Sequence, residues 1–121
     1  MPLILVIDDD VQIRALLRQM LERAGHEVMD APDGDEGITL YRENPADLVI
    51  TDIIMPKKEG LETIIDLRAE FPEVKIIAIS GGGTIGPSSY LQVAEGFGAI
   101  RIFTKPFKME ELLAAIQELL D

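Results

Sequence analysis

Five residues of the chain each stand just past a short apolar run. Asp8 and Asp9 follow Leu3–Ile7, Asp52 follows Leu48–Thr51, Ser80 follows Val74–Ile79 and Lys105 follows Ile100–Thr104. Carboxylates crowded together repel one another and resist joint ionisation. A hard divalent cation such as Mg²⁺ resolves that conflict, because it takes oxygen ligands from one or two carboxylates and keeps several waters. A carboxylate beside such a cation can attack a phosphoryl group and become an aspartyl phosphate. A lysine then offsets charge on the transferring oxygens, and a hydroxyl donates to another. Taken singly, an Asp at a strand end has a plainer reading as a helix cap or turn former. Asp10 is read that way, and Glu110 and Glu111 as a solvated first helical turn.

The chemistry depends on what brings these positions together. Short runs rich in β-branched residues at Leu3–Ile7, Val28–Ala31, Leu48–Thr51, Val74–Ile79 and Ile100–Thr104 read as strands. Helical spacing appears between them. Ile13, Leu16, Leu17, Met20, Leu21 and Ala24 mark the first helix, and Gly25 stands where a helix-ending glycine belongs. Asp33 caps a second helix, which Pro45 closes. Leu61, Ile64, Ile65 and Leu67 mark a third, closed before Pro72. Ser88 or Ser89 caps a fourth containing Leu91, Ala94 and Phe97, and Met109, Leu112, Leu113, Ile116 and Leu120 mark the last. His26, after Gly25, is read as a surface turn residue.

Strands alternating with helices predict an α/β fold, a parallel sheet covered on both faces. Five strands fit the doubly wound, flavodoxin-like (βα)5 arrangement with strand order 2-1-3-4-5. The mixed second strand, Glu27 to Ala31, suits an edge. Ligands of such sheets bind beyond the carboxyl ends of the strands. Asp8, Asp9, Asp52, Ser80 and Lys105 are all expected at that one edge, although they span most of the chain.

Composition narrows the chemistry further. The 121 residues fit one domain, and 47% are hydrophobic, enough to fill a core. Acids outnumber bases 22 to 11, giving a formal charge of −11. That argues against nucleic acid and against anionic membranes as partners. The chain has no Cys and a single His, so thiolate nucleophiles, disulfides and His-rich metal sites are out. No apolar run approaches membrane-spanning length, and residues 3–7 are too short for a signal peptide and run straight into acids. The expected location is the cytoplasm.

On these residues the chain resembles the receiver domain of two-component response regulators. The resemblance rests on Leu3-Ile4-Leu5-Val6-Ile7-Asp8-Asp9 and on Asp47-Leu48-Val49-Ile50-Thr51-Asp52 followed by Met55-Pro56 and Gly60. Ser80 and Lys105-Pro106-Phe107 complete it. It covers residues 1–121 as one receiver domain, which either acts alone or belongs to a longer regulator. It implies that Asp52 accepts a phosphoryl group from a sensor histidine kinase or a phosphotransfer protein. Asp9, Asp52 and the backbone carbonyl of Ile54 would ligate Mg²⁺, with Asp8 acting mainly through a metal-bound water. Lys105 and Ser80 would bond phosphoryl oxygens. The face made by the fourth helix, fifth strand and fifth helix would then change and meet a downstream effector protein. Such a domain catalyses its own phosphorylation and dephosphorylation and is not an enzyme with a separate substrate.

Two departures from the family pattern stand out. Ile102 occupies the position, three before Lys105, where the family often has Tyr or Phe. Phe103 is adjacent, but strand alternation sends it to the opposite face. The segment Gly81-Gly82-Gly83-Thr84-Ile85-Gly86-Pro87 is rich in glycine and longer than usual.

Other readings stay open at this stage. One is a degenerate receiver serving as an unphosphorylated docking module, which intact Asp9, Asp52 and Lys105 oppose. Another is a haloacid-dehalogenase-like phosphohydrolase built on Asp8-Asp9-Asp10. Gln12 stands where that motif has Thr or Val, and no acidic pair closes the site after Lys105, since Glu110 and Glu111 are read as a helical turn. Gly81, Gly83 and Gly86 match G-x-G-x-x-G, but after the fourth strand rather than the first, so the match is read as coincidence.

Overall fold

A computed structural model of the chain describes residues 2–52, 60–80, 101–104 and 108–120. The described strands are β1 (Leu3–Ile7), β2 (Glu27–Ala31), β3 (Leu48–Asp52), β4 (Ile76–Ser80) and β5 (Arg101–Thr104). The described helices are α1 (Val11–Arg23), α2 (Gly34–Glu43), α3 (Gly60–Glu70) and α4 (Met109–Leu120). The fourth expected helix, with Ser88, Ser89, Leu91, Ala94 and Phe97, lies outside the described residues, so α4 corresponds to the last expected one.

Local chemistry sets the ends of the helices. Asp10 has extended backbone, and its carboxylate accepts from the amides of Gln12 at 2.9 Å and Ile13 at 3.4 Å. These amides have no partner within the helix, and the cap satisfies them. At the other end Gly25 takes φ +95°, a conformation that disfavours side chains. Its N–H then reaches Glu22 O at 3.1 Å, and the His26 N–H reaches Leu21 O at 3.0 Å, which closes the helix in a Schellman motif. Asp33 caps α2 through the Glu36 amide at 2.9 Å.

The five strands form one sheet in the order β2-β1-β3-β4-β5, with every pairing parallel. Alternation along the strands divides the core in two. Leu5, Ile7, Val49, Ile76 and Ala78 pack with Ile38 and Tyr41 of α2 and Ile64 and Leu67 of α3. Ile4, Val6, Leu48, Ile50, Ile77 and Ile79 pack with Leu17 and Leu21 of α1 and Leu112 and Ile116 of α4. Burying one such aliphatic side chain contributes about 1.5–3 kcal/mol. β2 is an edge with mostly half-buried residues, as its mixed composition requires.

Some expectations shift. The pairing of β4 begins at Ile76, because Val74 belongs to the preceding turn, its N–H on Phe71 O at 3.0 Å. Val74 is buried nonetheless, and apolarity does not separate a buried turn from a strand. Leu16 and Ile65 fit the helical period yet stay exposed. His26 is half-buried rather than a surface residue, and its Nδ1 is enclosed with no hydrogen-bond partner among the described residues.

Candidate functional site

A parallel sheet puts the carboxyl ends of all its strands at one edge, and the register then fixes which residues are neighbours. Ile7 pairs with Thr51, so the next residue on each chain, Asp8 and Asp52, falls at the same level. Asp52 in turn pairs with Ile79, and Ile79 with Phe103. Adjacent strands lie about 4.8 Å apart, so the two acids are side by side. Asp52 is the last residue of β3 rather than the residue after it, since its backbone still pairs in the ladder.

One carboxylate oxygen from each of Asp8, Asp9 and Asp52 lies within 4.8 Å of the others. Asp8 and Asp52 are 3% and 7% exposed, while Asp9 faces solvent. At that range two carboxylates repel by roughly 1–4 kcal/mol, depending on the local dielectric. The donors are all hard oxygens, a set suited to Mg²⁺ or Ca²⁺ rather than to thiolate- or imidazole-seeking metals. The exposure of Asp9 leaves water a route to complete a coordination shell. The residues therefore fit a hard divalent cation, whose charge cancels the repulsion that the fold imposes.

Asp8 is held at three points. Its N–H donates to Ala31 O at 3.1 Å, extending the β1–β2 pairing by one residue. Its Oδ1 accepts from the Asp10 amide at 2.9 Å. Its carbonyl accepts from Arg14 Nη1 at 2.7 Å. Arg14 Nε lies 3.4 Å from Asp30 on β2, and Asp30 also receives Arg18 Nε at 2.9 Å and Nη2 at 2.8 Å. Sequence reasoning missed Arg14, Arg18 and Asp30. The acceptor on Asp8 is a backbone carbonyl, which leaves no trace in residue type or spacing.

The remaining expected site residues are placed less fully. Ser80 ends β4, with its backbone in register with Thr104. Lys105 is therefore the residue that follows the partner of Ser80. The side chain of Ser80, together with Lys105 and Ile54, lies outside the described residues. So does the Gly81–Pro87 segment. Ile102 packs on the α2–α3 side of the sheet and Phe103 on the α1–α4 side, as alternation requires. The aromatic ring next to Ile102 thus does not replace the one that is missing.

The chain matches the family model of the response regulator receiver domain over residues 4–117. It is 36% identical to the DNA-binding transcriptional regulator NtrC of Azospirillum brasilense, over 98% of this chain and 24% of that protein. It is 35% identical to the transcriptional regulatory protein RprY of Bacteroides fragilis, over 97% of this chain and 48% of that one. The chain thus spans about a quarter to a half of the length of these relatives. Among solved structures, a response regulator receiver domain protein from Clostridium thermocellum superposes with a TM-score of 0.91 at 31% identity. That superposition covers 99% of this chain and 94% of the other. Among the described residues, no helix is long and apolar enough to cross a membrane.

Proposed function

Because the chain belongs to the response regulator receiver family, we propose that it carries a signal by taking a phosphoryl group onto Asp52. The observation that carries this reading is the cluster of Asp8, Asp9 and Asp52 at the carboxyl edge of the sheet. Asp52 is the acceptor in this assignment because it ends the central strand β3 and matches the family's Asp, with Met55-Pro56 and Gly60 after it. An Asp52 carboxylate oxygen attacks phosphorus, the bond from phosphorus to the donor's imidazole nitrogen breaks, and that nitrogen keeps the electron pair. Asp8, Asp9, Asp52 and the Ile54 carbonyl would hold Mg²⁺. When bound, the ion offsets negative charge on the transferring oxygens. Lys105 neutralises a second part of that charge, and Ser80 donates to a third oxygen.

The donor in this reading is a sensor histidine kinase or a phosphotransfer protein. The output face combines the region between β4 and β5 with β5 and α4. Arg101 Nη2 on β5 and Glu118 on α4 are 3.0 Å apart, which supports treating β5 and α4 as one unit. Phosphorylation of Asp52 biases a two-state surface that an effector protein reads. A cytoplasmic location fits a kinase partner.

Intact mass after incubation with acetyl phosphate and Mg²⁺ tests the assignment in wild type and Asp52→Asn. The expected result is a single-phosphoryl gain in wild type alone. A gain that persists in Asp52→Asn moves the acceptor elsewhere, Asp8 first. No gain in wild type, together with no binding of beryllofluoride, leaves an unphosphorylated docking module.

A further inference from the structure

We propose that Arg14 is a positioning residue for the cation site, held in turn by Asp30 and Arg18. The inference rests on the reading of Asp8, Asp9 and Asp52 as ligands. Asp8 sits where the ladder stops and the chain turns into α1. Its N–H is fixed by β2 and its Oδ1 by the turn itself. The carbonyl is the third point, and Arg14 reaches it from the second turn of α1 at 2.7 Å. That bond sets the plane of the peptide joining Asp8 to Asp9.

Asp9 depends on this plane more than its neighbours do. It is exposed, and among the described residues no hydrogen bond holds its carboxylate. Its direction follows from its backbone. A guanidinium suits the task because its rigid planar fork can meet two acceptors at a fixed angle. Nη1 takes the Asp8 carbonyl while Nε faces Asp30 at 3.4 Å. Asp30 cannot drift, because Arg18 grips it through two nitrogens at 2.9 and 2.8 Å. Arg14 is 17% exposed, so solvent competes little for the fork. A chain of hydrogen bonds and the Arg14–Asp30 ion pair thus runs from the edge strand, across α1, to the backbone of the ligand turn.

Partners that orient metal ligands typically cost about 10–100-fold in metal affinity when removed. Mg²⁺ affinity of the whole chain, by calorimetry and by thermal shift without any phosphoryl donor, tests the proposal. Arg14→Met is expected to weaken Mg²⁺ by about 10–100-fold. Arg14→Lys should recover part of the loss, since one ammonium can serve the carbonyl or Asp30 but not both. Asp30→Asn should weaken binding less than Arg14→Met. A merely structural role would lower the metal-free Tm and leave the Mg²⁺ affinity of each variant at the wild-type value, and that result overturns the proposal. Should Arg14→Met fail to fold, Arg14→Lys and Asp30→Asn decide it by the same criterion. Wild type that binds no Mg²⁺ removes the cation site itself, and the role of Arg14 falls with it.

Discussion

Asp8 and Asp52 stand at the same level on neighbouring parallel strands, each one residue beyond the Ile7–Thr51 pair. The fold therefore forces two nearly buried carboxylates together and adds Asp9 beside them. A cation that binds only the folded state stabilises it by about 2.7 kcal/mol at a hundred times its Kd. For a domain of this size that is a rise of roughly 10 °C in Tm. Asp9→Ala should lose most of the rise. Asp52→Asn should melt higher than wild type without metal, because one source of repulsion is gone, and should respond little to Mg²⁺. Thermal scans across a Mg²⁺ series check all three, and a full shift in Asp9→Ala would remove Asp9 as a ligand.

Asp10 follows two ligand candidates yet does a different job. Its carboxylate caps α1 through Gln12 and Ile13, while its backbone amide serves Asp8. Asp10→Ala should cost about 1 kcal/mol at every Mg²⁺ concentration, the usual cost of a lost cap. The amide remains, so the increment due to Mg²⁺ should match wild type. Denaturant unfolding with and without Mg²⁺ separates the two effects. A smaller Mg²⁺ increment in the variant would place Asp10 in the cation site.

What could be read from the sequence followed from where each physical signal resides. Apolar runs set the strands, and Asp10, Gly25 and Asp33 marked the helix ends through backbone groups that they alone satisfy or permit. The topology followed from alternation, and it brought Asp8, Asp9 and Asp52 to one edge across more than forty residues of chain. The start of β4 was not legible, because Val74 is buried in a turn and reads like a strand residue. The exposure of Leu16 and Ile65 was not legible either, since periodicity marks a face without giving its width. The link from Arg14 to Asp8 was hidden because a backbone carbonyl is present at every position.

Gly37 meets the strand that carries the site. A Cβ at this position would overlap Ile7 Cδ1 and come within 2.8 Å of Cγ1, and Ile7 is fully buried immediately before Asp8. Overpacking a core costs about 1–3 kcal/mol, against a gain of roughly 0.8–1 kcal/mol from alanine in a helix. Gly37→Ala should therefore destabilise by about 1 kcal/mol. Adding Ile7→Val removes the overlapping Cδ1 and should make the pair less costly than the sum of the two changes. Strict additivity in denaturant melts would show that the overlap is relieved without cost.

Tyr41 should set part of the alkaline limit of stability. It is 6% exposed, its ring lies 4.6 Å from that of Phe71, and burial first and Asp47 second raise its phenol above the ordinary 10.0. The folded state then keeps a proton that the unfolded chain gives up from about pH 10 upward. In that window the folded form binds more protons, so its stability falls as pH rises. Below the window both states hold the neutral phenol and the effect is absent. Tyr90→Phe leaves Tyr41 as the single tyrosine, and its tyrosinate absorbance should then rise with a midpoint above the ordinary 10.0. Burial is the larger cause, so Asp47→Asn in that background should lower the midpoint only in part. A complete return to the ordinary value would make the charge of Asp47, rather than the packing of α2 on the sheet, the group that holds the proton.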